Sequence, residues 1–426
     1  MLPACSITNQ VRWASYAFRH HWLKRQAPRQ MHQDVLHLLQ DPASNARQLN
    51  ALLDELLACD MRLRSIEAAA VAFHINRTDD LLEFARQAHF DDTGWQGFQC
   101  LLRGNTDCTT RNAAESARKN KHKHFWKAIS RQVESIGPIP DGINSCHVIC
   151  TASIAGDINS STVYAALRMP ELHVVCDERL APILARTYPH IHFIPTRRHY
   201  HSIHSLRTSL RVTRHFCRLP HPSICRVLDH HAYETLLEAR HLATTYDLML
   251  HARGLQSTTQ PAFYKPLPEL KEEFAAMLPA GPKVGILWQS ETKNPVRNTY
   301  GLPRECLDRI LQQAKCTFVN LQYRTDINGY DNVINPAFDR MNDLERLLAL
   351  ISQLDLVISP ITTTANFAAM SGTPVLLQVN GLLFNSMNIN TKQDTLLPNT
   401  RYVHCRNRDD ISRATAEIIH HINSLG

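Results

Sequence analysis

Short apolar segments alternate with longer helical stretches over the second two-thirds of this 426-residue chain. This alternation is typical of a parallel sheet, because each strand needs a crossover, usually a helix, before the next strand can run in the same direction. The predicted strands are His147–Cys150, Leu172–Val175, Ile191–Ile194, Asp247–Leu250, Lys283–Trp288, Thr317–Leu321, Asp355–Ser359 and Pro374–Gln378. The Pro-containing segment 260–268 interrupts the series. We therefore predict two α/β domains, over residues 137–268 and 269–426.

The preceding residues follow a helical pattern. Leucines recur at spacings of three and four between Leu49 and Leu57, and Thr78 with two aspartates is a typical helix start. Trp95–Ala117 is similar to a single tetratricopeptide-like helical pair, but no second copy follows in register. Gly137–Pro140 ends the pattern. We predict a non-repetitive, all-α domain over residues 1–136.

The sequence also indicates where the protein is located and which cofactors it needs. No apolar run is long enough to span a bilayer, and the N-terminus lacks the apolar core of a signal peptide, so we expect a cytoplasmic protein. The twelve cysteines form no Cys-x-x-Cys pair and are predicted to be reduced thiols. Cys146 and Cys150 fall on one face of a predicted buried strand. We therefore expect no metal and no cofactor.

The formal net charge of +7 favours anionic partners. Arginines recur at helical spacing between Arg207 and Arg218 and would form one basic stripe. Such a stripe could bind a nucleic-acid backbone, but no recognised nucleic-acid motif accompanies it, so a solvated helix face is the preferred interpretation.

The loop after the first predicted strand, residues 151–162, contains Gly156 and Asp157 and leads into a predicted helix at Val163–Leu167. Ligands of parallel sheets bind beyond the carboxyl ends of the strands, where this loop lies. A carboxylate at that position can accept a proton from an attacking sugar hydroxyl. The competing interpretation is that Asp157 only caps the next helix.

Two loops of the last domain have features of a diphosphate site. The first follows Trp288 and offers Ser290 with two cations, Lys293 and Arg297. The second starts after Ser359 and holds three consecutive threonines, Thr362–Thr364, before a short Ala-rich helix. The free N–H groups at a helix start attract anions, although ordinary capping by threonine explains the same residues.

Taken together, these segments resemble the two-lobed glycosyltransferase fold called GT-B, and within it the heptosyltransferase-like (family 9-like) group and bacterial glycosyltransferases linked to tetratricopeptide helices. The similarity covers roughly residues 137–380. It rests on Gly156-Asp157, on Cys176–Pro189, on Val284–Trp288, on Phe318–Tyr323 and on Leu354–Ser359.

The resemblance implies two Rossmann-like lobes behind the helical domain, and an inverting, metal-independent transfer of a sugar from a nucleotide sugar to a protein or glycan acceptor. Asp157 would be the base, with Gly156, Asn159 and Arg179 on the acceptor side. The donor would be bound by Trp288, Ser290, Lys293, Arg297, Gln322, Thr362, Thr363, Thr364 and Asn366. The N-terminal helices could recruit a protein partner.

The chain departs from the group at three places. Gln289 stands where the group usually has arginine, and Pro360 and Asn366 replace an aspartate and a histidine that heptosyltransferases usually carry in the third loop. These departures keep an alternative open, in which a catalytically inactive GT-B-like protein serves as a binding module or scaffold.

Overall fold

The fold was determined from a computed structural model, which describes residues 30–58, 65–87, 95–96, 99, 106–118, 122–150, 153–199, 215–216, 218–254, 262–290, 295–381, 387–388, 393–394, 396–397 and 399–425. Several predictions fall wholly or partly outside these residues. They include the N-terminal 29 residues, parts of the helical pair Trp95–Ala117, the first two residues of the loop 151–162, Lys293, and the part of the arginine stripe from Arg207 to Arg214.

The described residues before position 134 are helical and contain no strand, as the sequence predicts. Their helices are α1 (Gln30–Leu38), α2 (Ala46–Leu57), α3 (Ser65–His74), α4 (Thr78–Gln87), α5 (Thr106–Ser116) and α6 (Lys123–Ile129). The leucine pattern buries Leu49, Leu53 and Leu56 along one side of α2. Helix α4 begins at Thr78, where the sequence places a helix start.

The first sheet is parallel and has the order β1-β5-β2-β3-β4. Its strands are β1 (Ser135–Ile136), β2 (Ser145–Ile149), β3 (Glu171–Asp177), β4 (His192–Thr196) and β5 (His241–Thr244). The accompanying helices are α7 (Ile154–Ser161), α8 (Ala181–Thr187), α9 (His230–Leu236) and α10 (Thr245–Gly254). Ile149, Val175 and Ile194 lie on adjacent strands and share one apolar core with Phe125 and Trp126 of α6.

A row of histidines crosses this sheet. His147, His173 and His192 are register partners on β2, β3 and β4. The rings of His147 and His173 stack with centroids 4.4 Å apart, and those of His173 and His192 meet edge to face at 5.0 Å. Burial lowers the pKa of His147 to about 4, and burial followed by the neighbouring His192 lowers that of His173.

The second sheet has the order β11-β12-β13-β10-β9-β6-β7-β8. Its strands are β6 (Lys283–Ile286), β7 (Thr317–Asn320), β8 (Val333–Ile334), β9 (Leu356–Pro360), β10 (Val375–Asn380), β11 (Met387–Asn388), β12 (Gln393–Asp394) and β13 (Thr400–Cys405). Its helices are α11 (Pro268–Met277), α12 (Pro295–Asn298), α13 (Arg304–Gln313), α14 (Leu344–Ile351), α15 (Thr363–Met370) and α16 (Ile411–Asn423). The six strands from β13 to β8 are parallel, whereas β11 and β12 pair antiparallel. The two sheets confirm the predicted α/β class.

The described residues form two compact units. One contains residues 110–262 with the first sheet, and the other combines residues 30–109 with residues 263–426 and the second sheet. Phe73 of α3 is 1% exposed and packs into the core of the second sheet with Ile286 and Val403. The predicted domains 1–136, 137–268 and 269–426 have other limits, and their boundaries stay a prediction.

Two local predictions are wrong. Asp247–Leu250 lies in α10 instead of a strand, because Thr244 and Asp247 cap that helix reciprocally. The Asp247 carboxylate accepts the Thr244 N–H at 2.9 Å, and the Asp247 N–H donates to the Thr244 hydroxyl at 3.2 Å. The loop predicted over 151–162 is helical from Ile154, and the predicted helix at 163–167 contains only a 3₁₀ turn, Tyr164–Ala166.

Candidate functional site

The strand order of the second sheet fixes where a ligand would bind. From β6 the chain proceeds through β7 to β8 on one side, and then returns to β9 on the other side of β6 before continuing to β10 and β13. The reversal point lies between β6 and β9, where the following loops diverge and leave a crevice at the carboxyl ends of the strands. Trp288 and Ser290 follow β6, and Thr362 follows β9.

Helix α15 starts at this reversal point. The Thr362 hydroxyl accepts a hydrogen bond from the N–H of Ala365 at 3.2 Å, and it shares a hydrogen bond with the Ser359 hydroxyl at 2.9 Å. Thr362 is therefore the N-cap of α15, in agreement with the interpretation that these threonines cap the helix. Thr363 and Asn366 are half-buried in the first turn, where the helix dipole favours a negative charge.

The side chain of Gln322 binds the backbone of the loop after β6. Its side chain is buried, and its amide oxygen accepts the N–H groups of Trp288 and Gln289, each at 3.2 Å. Its amide nitrogen donates to the Gln289 carbonyl at 3.2 Å. Gln322, predicted as a donor-binding residue, thus contacts the backbone of the loop and fixes the place from which Ser290 emerges.

Tyr323 connects the loop after β7 to α15. Its hydroxyl and that of Thr364 share a hydrogen bond. Tyr323 is not among the predicted site residues, although it directly follows Gln322 in Phe318–Tyr323, one of the segments on which the family resemblance rests. The bond joins side chains that follow β7 and β9, the two neighbours of β6, and therefore orders this edge of the sheet.

A cavity of about 650 Å³ lies within the second unit beside the same loop. Three predicted donor-binding residues line it, namely Trp288, Ser290 and Arg297. Gln322, Thr362–Thr364 and Asn366 do not, so the predicted donor residues divide between this cavity and the start of α15. The cavity also has walls that sequence reasoning missed, from His74 of α3, Arg309 of α13 and Arg408 before α16.

The first sheet has a reversal point of the same kind. The chain runs from β2 through β3 to β4 and then returns to β5, on the other side of β2. Helix α7 follows β2, so its first turns lie at the carboxyl edge of the sheet beside this reversal point. They carry Gly156, Asp157 and Asn159, the first and last of which are half-buried.

Asp157 forms a buried ion pair. Its side chain is 0% exposed and that of Arg198, which follows β4, is 1% exposed. One carboxylate oxygen accepts Arg198 Nη1 and the N–H of Asp177, the latter at 3.1 Å, while the other accepts Arg198 Nη2 at 3.2 Å. Burial raises the pKa of Asp157, and the Arg198 guanidinium opposes that rise. Asp157 is not the N-cap of α7, since Ser153 has that position.

Arg179 binds a second buried carboxylate. Its Nε lies 2.8 Å from Oδ1 of Asp177 and its Nη2 lies 2.9 Å from Oδ2. Burial alone would raise the pKa of Asp177, but Arg179 reverses this effect and the net shift is downward. The two Asp–Arg pairs thus form one network at the carboxyl ends of β3 and β4. Sequence reasoning missed Arg198, because its pairing with Asp157 depends on strand order alone.

Neither a membrane span nor a metal cluster was found where the structure describes the chain. No helix there is long and apolar enough to cross a bilayer. In the same residues, no three His, Cys, Asp or Glu side chains are grouped so that they could hold a metal ion. The metal independence of the reaction stays a prediction.

Comparisons with known proteins return distant similarities. No protein-family model matches the chain. Protein FlbA of Caulobacter vibrioides is 31% identical over 128 residues, which are 27% of this chain and 22% of FlbA, so the match spans about a fifth of that relative. No family membership follows from so short a match.

Two solved structures are similar in chain path. The E. coli ADP-heptose lipopolysaccharide heptosyltransferase II matches at 15% identity with a TM-score of 0.39, covering 66% of this chain and 98% of that one. A family 9 glycosyltransferase from Veillonella parvula matches at 12% identity with a TM-score of 0.42, covering 68% and 96%.

Proposed function

We propose that this protein is a glycosyltransferase that takes a sugar from a nucleotide-activated donor. The observation that carries the proposal is the position of Trp288, Ser290 and Thr362–Thr364. These residues lie in two loops that are far apart in the sequence. One loop follows β6 and the other follows β9, on opposite sides of the reversal point between these strands. Open parallel sheets bind nucleotides at such points.

The donor diphosphate is proposed to bind at the start of α15, with Arg297 supplying positive charge from the loop after β6. Lys293, which lies outside the described residues, is proposed to assist. In the transfer, the acceptor hydroxyl oxygen forms a bond to the anomeric carbon while the bond from that carbon to the phosphate oxygen breaks. The nucleoside diphosphate leaves with the electron pair, and its growing charge is stabilised by the cation and the helix start. One displacement inverts the anomeric configuration.

The acceptor proton has to be taken up by a base, and Asp157 is the proposed base. A base must come within hydrogen-bonding distance of the hydroxyl that it deprotonates. Asp157 can do so only when Arg198 gives up at least one of its hydrogen bonds to the carboxylate. Gly156, Asn159 and Arg179 are proposed to flank the acceptor, a protein or a glycan, and no metal or other cofactor is part of the proposal.

The donor site is tested by thermal unfolding of the full chain against a panel of nucleotides and nucleotide sugars. Ligands that bind only the folded state raise Tm. We expect one nucleotide class to raise Tm of the wild type, and the shift to fall by more than half in Thr363→Ala and in Arg297→Ala. Thr235→Ala and Arg304→Ala, which remove a half-buried threonine of α9 and an exposed arginine of α13, should keep the full shift. A shift that survives Thr363→Ala would contradict the proposed site.

One observation favours a second candidate, an inactive binding module. The proposed base is fully buried against Arg198. In that case the nucleotide would bind as above, but no transfer or donor hydrolysis would follow. Product analysis by mass spectrometry with the stabilising nucleotide sugar separates the two functions.

A further inference from the structure

The cavity in the second unit has a wall that comes from the N-terminal helices. The turn between α3 and α4 is bound to the loop that follows β13. The Asn76 amide donates to Asp409 at 2.9 Å, and the Thr78 hydroxyl donates to the Arg406 carbonyl at 2.8 Å. His74, at the end of α3, lines the cavity together with Trp288 and Asn380.

Cations outnumber carboxylates by one in this cavity. Arg297, Arg309 and Arg408 line it, against two carboxylates, Glu305 and Asp409. Asp409 is hydrogen-bonded to Asn76, which donates to its side chain and accepts its backbone N–H at 3.3 Å. The first turns of α13 and α16 also line the cavity, and both helices, of 10 and 13 residues, have their positive ends there.

Arg309 contacts two neutral side chains. Its Nη1 donates to the Ser412 hydroxyl at 3.2 Å, in the first turn of α16, and its Nε donates to Oε1 of Gln313 at 3.4 Å. Arg408 is exposed and precedes the start of α16 at Ile411. A pair of guanidinium groups beside two helix starts is the arrangement that binds phosphate.

His74 adds a hydrogen-bond acceptor. Its Nε2 lies 3.1 Å from the Thr299 hydroxyl, which itself donates to the Pro295 carbonyl at 3.3 Å. Nε2 therefore carries the proton, and Nδ1 is left as a buried acceptor for which the structure provides no hydrogen bond. Burial, followed by the nearby Arg408, lowers the pKa of His74 to about 4, so the ring is neutral at pH 7.

We propose that this cavity is a binding site for a small phosphate-bearing molecule, such as a sugar phosphate or a nucleotide. The phosphate contacts Arg309 and Arg408, and the ring of His74 forms part of the wall. The volume of about 650 Å³ lies within the range of small-molecule sites, roughly 300–1,000 Å³. The cavity shares Trp288, Ser290 and Arg297 with the proposed donor site, but Thr362–Thr364 at the start of α15 do not line it, so variants of Thr363 distinguish the two.

The test titrates the full chain with inorganic pyrophosphate, glucose 1-phosphate and ADP, and follows tryptophan fluorescence and Tm. We expect at least one probe to bind, and the Arg309→Gln/Arg408→Gln variant to bind it at least about tenfold more weakly. The matched control is Arg304→Gln/Arg401→Gln, which removes the same two charges from exposed arginines that do not line the cavity. The control should stay within about twofold of the wild type.

Further variants separate this site from the donor site. Thr363→Ala should leave probe binding at the cavity unchanged, and Trp288→Phe should abolish the fluorescence change while the Tm shift remains. The proposal is overturned if no probe binds, if both double variants lose affinity equally, or if Thr363→Ala alone abolishes binding.

Discussion

The charges of Asp157 and Arg198 interact mainly with each other, because both side chains are buried away from water. Removing two charges from water costs several kcal/mol per ion, and close geometry with additional hydrogen bonds is needed to compensate. The Asp177 N–H supplies such a bond to Asp157, and the Val227 carbonyl accepts Arg198 Nε at 3.0 Å. The pair therefore connects α7, β3 and the segment after β4, whatever its part in catalysis.

Breaking this pair should destabilise the first unit. We expect Asp157→Asn to lower the free energy of unfolding by about 3–5 kcal/mol, because it leaves the Arg198 charge buried without its counter-ion. Asp157→Leu/Arg198→Met should recover most of that loss. Arg197→Met, which breaks the exposed pair with Glu178, should cost about 1 kcal/mol or less. Urea unfolding of each variant measures these differences.

The same double variant addresses the proposed base. If Asp157 takes up the acceptor proton, Asp157→Leu/Arg198→Met is folded but has no transferase activity with the stabilising nucleotide sugar. Full activity in that variant would exclude Asp157 as the base and leave it a structural role alone.

Among the elements, β2 and β3 carry the clearest dependence on pH. His147 is 9% exposed, and its folded-state pKa of about 4 lies below the ordinary value of about 6.5. A histidine whose pKa is lowered by folding binds fewer protons in the folded state. The stabilisation is complete above pH 6.5 and is lost as the pH falls toward 4, by up to about 3 kcal/mol for this residue.

We expect amide exchange in β2 and β3 to accelerate between pH 7 and pH 5, after correction for the intrinsic pH dependence of exchange. The His147→Gln variant should show a smaller acceleration, because no imidazole then has to remain neutral between the strands. His231→Gln, at an exposed histidine of α9, should behave as the wild type. Equal acceleration in all three proteins would contradict the role of the histidine row. Hydrogen exchange with mass spectrometry over peptides from 145 to 177 provides the measurement.

Seven of the eight predicted strands have counterparts, namely β2, β3, β4, β6, β7, β9 and β10, and their ends are shifted by at most two residues. Short apolar runs identify such strands, including β4, whose side chains are partly exposed. The prediction at the β5–α10 boundary is wrong because the three apolar residues Leu248–Leu250 also fit a strand, whereas the Thr244–Asp247 cap starts a helix there. Arg198 and His74 could not be predicted as site residues, since their neighbours are defined by strand order and by packing of distant segments.

On the scale of the whole molecule, the second unit is discontinuous in sequence. Phe73 from the N-terminal helices contributes to the core under β6 and β13. We expect Phe73→Ala to destabilise the second unit by about 3–5 kcal/mol, as for other large buried aromatic residues. Met277→Ala, at a side chain that is 47% exposed, should have little effect. Urea unfolding followed through Trp288 reports on this unit, and an equal response of both variants would contradict the packing of α3 on the second sheet.

The contact between α3 and β13 also sets an order of events during synthesis. Phe73 leaves the ribosome long before residue 405, the end of β13, and at 5–20 residues per second the delay amounts to roughly 20–70 s. The residues of the first unit emerge in this interval and can fold as a unit, whereas the apolar side of α3 has no sheet to cover it. The nascent chain therefore exposes the apolar side of α3 during most of its translation. Chaperones that hold unfolded chains bind such apolar segments.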